Sequence, residues 1–198
     1  MNNQNIKPWL KSYPEGVSHE ISFDEYLSLV DMFDKTCEKF ADKKAFTNFG
    51  KSLSFNDIQT KSSNLASFLQ NELKLEKGSS VAIMMPNLLQ YPISTFGILK
   101  AGLMVENINP LYTERELQQQ LINSKSETII ILENFSFLLE KILSKTNIKN
   151  IIITSVGELL GSKGILMNFI IRKIKKAVPK FNFSKYYQFS KTICNNKY

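Results

Sequence analysis

The sequence predicts an α/β fold: a largely parallel sheet with helices on both faces, preceded by a small hairpin. The first sign is residues 80–85, a short apolar run bounded by turn residues, which has the length of a buried strand. Next comes alternation, because residues 80–132 read strand, helix, strand, helix, strand with short turns between. Tandem units of this kind imply parallel strands joined by right-handed crossovers. Last are the isoleucine runs of Thr128–Leu132 and Asn150–Thr154, which continue the sheet.

Each element has a local reason. Residues 1–25 form an irregular leader whose Trp9 and Tyr13 are expected to anchor it to the body. Leu27, Val30, Phe33, Cys37 and Phe40 recur at three- and four-residue steps, predicting an amphipathic helix over 26–40. Residues 45–49 and 53–55 predict a hairpin turning at Gly50-Lys51. Ser54 is the expected cap of the next helix, which turns Ile58, Leu65, Ala66 and Leu69 to one face. After the strand at 80–85, Asn87 with Gln90 has the spacing of a capping box, and Gly102 supplies the left-handed residue that ends the helix. Asn109-Pro110 turns the chain, Thr113 with Glu116 forms another capping box, and Leu117 and Leu121 share a face. A short helix over 135–143 turns Leu138, Leu139 and Ile142 inward. Residues 155–164 are expected to be a loop, 165–178 a helix ended by Pro179, and 180–198 to lack a period. The chain therefore divides into a leader (1–25), an α/β module (26–154) and a basic linker, helix and tail (155–198).

Charge and composition exclude several classes of function. The net charge of +7 is uneven: residues 1–154 sum to −1 and residues 155–198 to +8. Only Arg115 and Arg172 among the basic residues can offer a guanidinium fork, and no recognition helix or base-stacking platform is visible, so nucleic acid is not an expected partner. A single histidine, His19, and distant Cys37 and Cys194 offer no metal-ligand spacing and no His-based triad. Residues 1–5 are polar with no apolar run behind them, so no secretory signal is expected, and the cysteines fit a reducing, cytoplasmic setting.

The candidates for chemistry are few. Residues 157–164 are glycine-rich between a strand and a helix, but the glycines are one residue too close for a phosphate loop, and Ser precedes Lys. They read as a linker. Glu114 and Glu116 sit in a first helical turn, where negative charge favours the dipole, and diverge around the helix. The 165–178 helix interleaves apolar and basic residues. Phe169, Ile170, Arg172, Lys173, Lys175 and Lys176 are the candidate contacts with an anionic membrane surface, the inner face of the cell membrane. The competing reading is a helix packed on the body with a solvated lysine edge.

Beyond these physical signals, the chain resembles the N-terminal part of the bacterial long-chain fatty acid–CoA ligases of the adenylate-forming, AMP-binding superfamily. The resemblance begins at Trp9-Leu10, Tyr13-Pro14 and Leu29-Val30-Asp31-Met32-Phe33. It is densest from Met84 through Pro92 and from Phe96 through Gly102, and continues through Asn109-Pro110-Leu111-Tyr112-Thr113 and Arg115-Glu116-Leu117. Two features depart from the family pattern. Ser79-Ser80 replaces the usual Asp-Arg, and Glu106 stands where a buried strand has an apolar residue.

The resemblance implies an incomplete N-terminal subdomain of the adenylate-forming fold. Whole enzymes of the family use ATP, magnesium and coenzyme A to convert a long-chain fatty acid to its acyl-CoA, through an acyl-adenylate. The family's Gly/Thr-rich phosphate signature, its downstream Tyr-Gly-x-Thr-Glu element, its ribose-binding aspartate and its C-terminal catalytic lysine are absent from these 198 residues. No catalytic, cofactor-binding or metal-binding residue is therefore assigned. The chain is expected to be inactive alone; the alternative is a non-catalytic module resting on membranes through 165–178. The sequence carries no sign of oligomeric state or acyl chain-length preference.

Overall fold

The computed structural model describes residues 7–20 and 25–194. The reading of residues 1–5 and parts of the leader and tail, 21–24 and 195–198, lie outside the described residues. A helix, α1 (Leu29–Lys39), is capped by the Ser28 hydroxyl, which accepts from Asp31 N–H. The hairpin follows as β1 (Lys44–Asn48) and β2 (Lys51–Ser54). Its turn is Phe49-Gly50, one residue earlier than expected, and both turn residues have positive φ, at 47° and 75°. That is the handedness a two-residue hairpin loop requires, so glycine fills the second turn position rather than the first. Ser54 caps α2 (Phe55–Ser67) in a reciprocal box with Asp57.

The main sheet is built from β3 (Ser80–Met84), β4 (Met104–Asn107), β5 (Thr128–Leu132), β6 (Asn150–Thr154) and β7 (Tyr187–Gln188). The strand order is β4-β3-β5-β6-β7, with every pairing parallel. Helix α3 (Gln90–Lys100) crosses from β3 to β4 on one flank. Helices α4 (Glu114–Asn123) and α5 (Ser136–Ile142) carry the chain back past β3 to the other flank. Right-handed crossovers in opposite directions must lie on opposite faces.

The core shows this directly. Val81, Ile83, Ile130, Leu132 and Ile152 face the layer of α1, α2 and α3, while Ala82, Met84, Ile129, Ile131, Ile151 and Ile153 face α4 and α5. Strands covered on both faces have no polar side to show, which is why they read as unbroken apolar runs.

Several sequence signals find their partners here. Gly102 has φ +75° and closes α3 with the Gly102 N–H donating to Leu99 O and the Leu103 N–H to Ile98 O, the double bond of a left-handed helix stop. The Thr113–Glu116 box caps α4, and hydrogen bonds from the Thr113 backbone and hydroxyl hold the Glu116 carboxyl below its ordinary value. Lys100, in the Leu-Lys-Ala-Gly stretch, reaches Asp34 at 2.5 Å and ties α3 to α1, where Phe33 stacks on Phe96 at 3.7 Å.

The departures from the family pattern are also accommodated. Ser80 shares a hydrogen bond of 2.9 Å with Ser126, which in turn contacts Ser124. Glu106 is on an edge strand and accepts from the Gln120 amide, so its carboxylate is neither central nor unpartnered.

Other expectations are corrected. Trp9 and Tyr13 are 56% and 41% exposed, so the leader's aromatics do not anchor it by burial. Asn87 does not cap α3; the helix begins at Gln90 with no side-chain cap. The expected helix at 165–178 begins earlier, as α6 (Ser162–Phe169), and continues through a wider π turn, Ile170–Ile174. It ends at Ile174 with Lys175 as its C-cap, and Lys176 (φ +49°) turns the chain. The tail, expected to lack a period, supplies β7 and a short helix, α7 (Phe189–Thr192), whose Phe189 is fully buried.

Candidate functional site at the sheet switch point

In this strand order β3 is the point where the connections reverse direction. The loops leaving the C-terminal ends of neighbouring strands must part there, opening a crevice where such sheets commonly bind ligands. The crevice is present, with a volume of about 560 Å³, between the loop after β3 (Met85, Pro86, Asn87), the loop after β4 (Ile108 to Leu111) and Phe135 after β5. Local bonds fix its walls. The Tyr91 hydroxyl donates to Asn107 Oδ1 at 2.9 Å, Asn48 Nδ2 donates to the Asn87 carbonyl at 3.1 Å, and Asn109 Oδ1 accepts from Leu111 N–H at 3.0 Å. Apart from the Tyr91 hydroxyl, which is spent on Asn107, the lining is apolar or amide, with no charged side chain. Such walls can enclose and orient an uncharged group but carry no charge to neutralise a phosphate.

Gln90 shows what replaced its expected cap. Its buried amide donates to Thr154 Oγ1 at 3.0 Å and to the Ser155 carbonyl at 2.8 Å, joining the start of α3 to the end of β6. Thr154 Oγ1 donates to Glu158 Oε2 at 2.5 Å, and Glu158 Oε1 accepts from Ser190 N–H at 2.8 Å. This network clamps the C-terminal end of the sheet to the tail. Every group in it is engaged in holding the fold.

The glycine-rich linker is closed as well. Gly157 and Gly164 pack backbone against backbone, so that a Cβ on either would run into the other's carbonyl group. The Gly157 N–H donates to Asn168 Oδ1 at 2.8 Å, and Asn168 Nδ2 donates to Ser155 Oγ at 2.9 Å. Its amide is taken by the protein rather than turned toward an anion. The crevice, for its part, has no cationic side chain to meet a nucleotide's phosphates. Among the described residues, no cluster of three His, Cys, Asp or Glu side chains could hold a metal ion. An uncharged crevice with no such carboxylate cluster among the described residues does not fit ATP with magnesium.

The six membrane-contact candidates separate. Phe169 is 54% exposed, whereas Ile170 is half-buried. Arg172 is engaged elsewhere: its Nε lies 2.9 and 3.0 Å from the two Glu133 carboxylate oxygens. Hydrogen bonding to that carboxylate raises the Arg172 pKa above its ordinary value. Lys173, Lys175 and Lys176 are exposed. Helical spacing pointed to the apolar face but not to which members face out; Ile165, Leu166 and Ile174 are the more exposed apolar residues. No helix among the described residues is long and apolar enough to cross a membrane.

The two thiols differ sharply. Cys37 is fully buried, and burial pushes its thiol up to about 11, while Cys194 is exposed.

A parallel sheet in this order, layered by helices on both faces and with a crevice at its C-terminal end, defines a doubly wound α/β module. The AMP-binding enzyme family model matches residues 33–166, and the chain belongs to that family. Within it, the chain is 45% identical over 190 residues to a long-chain-fatty-acid--CoA ligase of Escherichia coli O157:H7, covering 96% of this chain and 34% of the relative. A long-chain-fatty-acid--CoA ligase of Yersinia pestis is 47% identical over 176 residues, covering 88% of this chain and 31% of the relative. Among solved structures, the luciferase-like enzyme from the Zophobas morio mealworm superposes with a TM-score of 0.68 at 20% identity, covering 89% of this chain and 36% of that one. That likeness establishes the fold alone. The chain spans about a third of the length of the curated relatives it matches.

Proposed function

We propose that this chain is the N-terminal portion of a cytoplasmic long-chain fatty acid–CoA ligase, and that it supplies scaffold rather than chemistry. The observation that carries the reading is the 45% identity running through 96% of the chain, including the loops that frame the crevice. In the whole protein, ATP, magnesium and coenzyme A would activate a long-chain fatty acid to its acyl-CoA, releasing AMP and pyrophosphate. The crevice's uncharged lining fits a framework role beside that chemistry. The 198-residue chain alone is expected to show ATP–pyrophosphate exchange with palmitate at background level. Exchange above background by the purified chain would overturn its assignment as scaffold.

A second reading rests on α6 and its π turn. Ile165, Leu166, Phe169 and Ile174 are 76%, 62%, 54% and 66% exposed, next to the exposed Lys173, Lys175 and Lys176. Exposed apolar residues beside lysines fit the interface of an anionic bilayer. In co-sedimentation, the chain is expected to prefer phosphatidylglycerol-containing vesicles to phosphatidylcholine vesicles. Ile165→Ser with Phe169→Ser should weaken that binding about tenfold, from the lost apolar burial. Equal partition between the two vesicle types would count against this reading.

A further inference from the structure

A second open groove, of about 860 Å³, lies between the β5–α5 region and the chain that returns after α6. One wall presents Glu133 and Glu140; the other presents Arg172, Lys173, Lys176 and Lys180. Lys176, with φ +49°, reverses the chain so that residues 178–182 complete the second wall. The charges do not cancel. Arg172 and Glu133 neutralise each other in a forked ion pair, with Nη2 at 2.8 Å from Oε2. Among the described residues, Lys173, Lys176 and Lys180 have no ion-pair partner. These lysines, opposed in the lining by Glu140 alone, leave a local excess of two positive charges.

We propose that this groove binds a phosphate ester through Lys173, Lys176 and Lys180. A phosphate ester carries nearly two negative charges at neutral pH, which matches the excess. The free cations are compact ammonium groups rather than guanidinium forks, and ammonium groups bind phosphate as point charges without demanding the planar geometry of a carboxylate. Arg172 acts as a positioning residue: by holding Glu133 it removes a carboxylate that would otherwise oppose the ligand. The ligand chemistry is shared by a lipid phosphate headgroup and a soluble phosphate compound. This site does not rest on the scaffold reading; it shares Lys173 and Lys176 with the membrane reading but uses none of the exposed apolar residues Ile165, Leu166, Phe169 and Ile174.

The test uses the full chain with two probes, glycerol 3-phosphate by calorimetry and phosphatidic acid in phosphatidylcholine vesicles by co-sedimentation. Lys173→Gln, Lys176→Gln and Lys180→Gln together are expected to weaken binding by about tenfold or more. A charge-matched triple outside the groove, Lys39→Gln, Lys44→Gln and Lys51→Gln, should stay within about twofold of wild type. Glu140→Gln, which removes the opposing carboxylate, should tighten binding by about threefold, a gain that misfolding cannot produce. Glycerol 3-phosphate binding with this pattern identifies a soluble phosphate site, and the pattern on vesicles alone, kept when Ile165→Ser and Phe169→Ser are both present, identifies a lipid headgroup site; either supports the proposal. Equal losses in the two triples, unchanged binding in the groove triple, or no binding of either probe by the wild-type chain overturns it.

Discussion

Gly164→Ala is expected to destabilise the protein by about 2–4 kcal/mol, although alanine is the better helix former. In an open helix the exchange gains about 1 kcal/mol. Here the new methyl would lie 2.7 Å from the Gly157 carbonyl carbon, with the carbonyl oxygen nearer still. Backbone cannot rotate aside as a side chain can, so the 155–161 loop must move away. Overpacking of this kind costs about 1–3 kcal/mol. The movement also strains the Gly157–Asn168 and Asn168–Ser155 hydrogen bonds, each worth about 1 kcal/mol. Urea unfolding followed by circular dichroism measures the result. Asn168→Ala is the comparison, because it removes the hydrogen bonds without the clash and should cost less than Gly164→Ala. A Gly164→Ala protein as stable as wild type would show that the two glycines do not meet.

The same glycines mark the limit of what the sequence could say. Their spacing was enough to reject a phosphate loop, but the reason for both glycines lies in a contact that forms only when α6 folds back on its own leading loop. The buried strands were legible almost residue for residue. Five-residue runs such as Thr-Ile-Ile-Ile-Leu need no partner to be recognised, since burial on both faces leaves one kind of side chain acceptable. The Thr113–Glu116 box and the Gly102 stop were legible because their partners lie within a few residues.

Asn87 and Gln90 have the same local spacing, yet the Gln90 amide goes to Thr154, 64 residues away, and a distant buried acceptor outweighs a local exposed one. The crevice followed from strand order, so its position was foreseeable from the alternation of strands and helices. The basic groove was not, because Glu133 and Lys180 come to line one groove only through a π turn and a left-handed lysine that no periodicity announces.

The tail offers the sharpest case of structure hidden from pattern, and Phe189→Ala is expected to expose it at a cost of about 3–5 kcal/mol. Residues 180–194 have scattered aromatics and no period, so neither helix nor strand could be read. Yet β7 pairs with β6 at Ile152 and Ile153, and Phe189 is fully buried in the cluster containing Leu65, Leu69 and Ile152. Around it, Tyr187 meets Phe68 edge-on at 5.1 Å, Asn64 Nδ2 donates to the Ile193 carbonyl at 3.1 Å, and Ser190 N–H donates to Glu158. These contacts cover one edge of the sheet that would otherwise present open hydrogen-bonding groups.

A buried phenylalanine cut to alanine loses its transfer energy and leaves a cavity that a rigid sheet edge cannot close, hence the range given. Phe169→Ala is the internal control. That ring is 54% exposed, and its removal should change stability by no more than about 0.5 kcal/mol. Urea midpoints of the two variants, read beside limited proteolysis of residues 180–194, separate the outcomes. A large loss with early cleavage of the tail, for Phe189→Ala alone, means that the last strand and helix hold the sheet closed. Similar small losses for both variants would mean that the tail rests on the domain without completing its core.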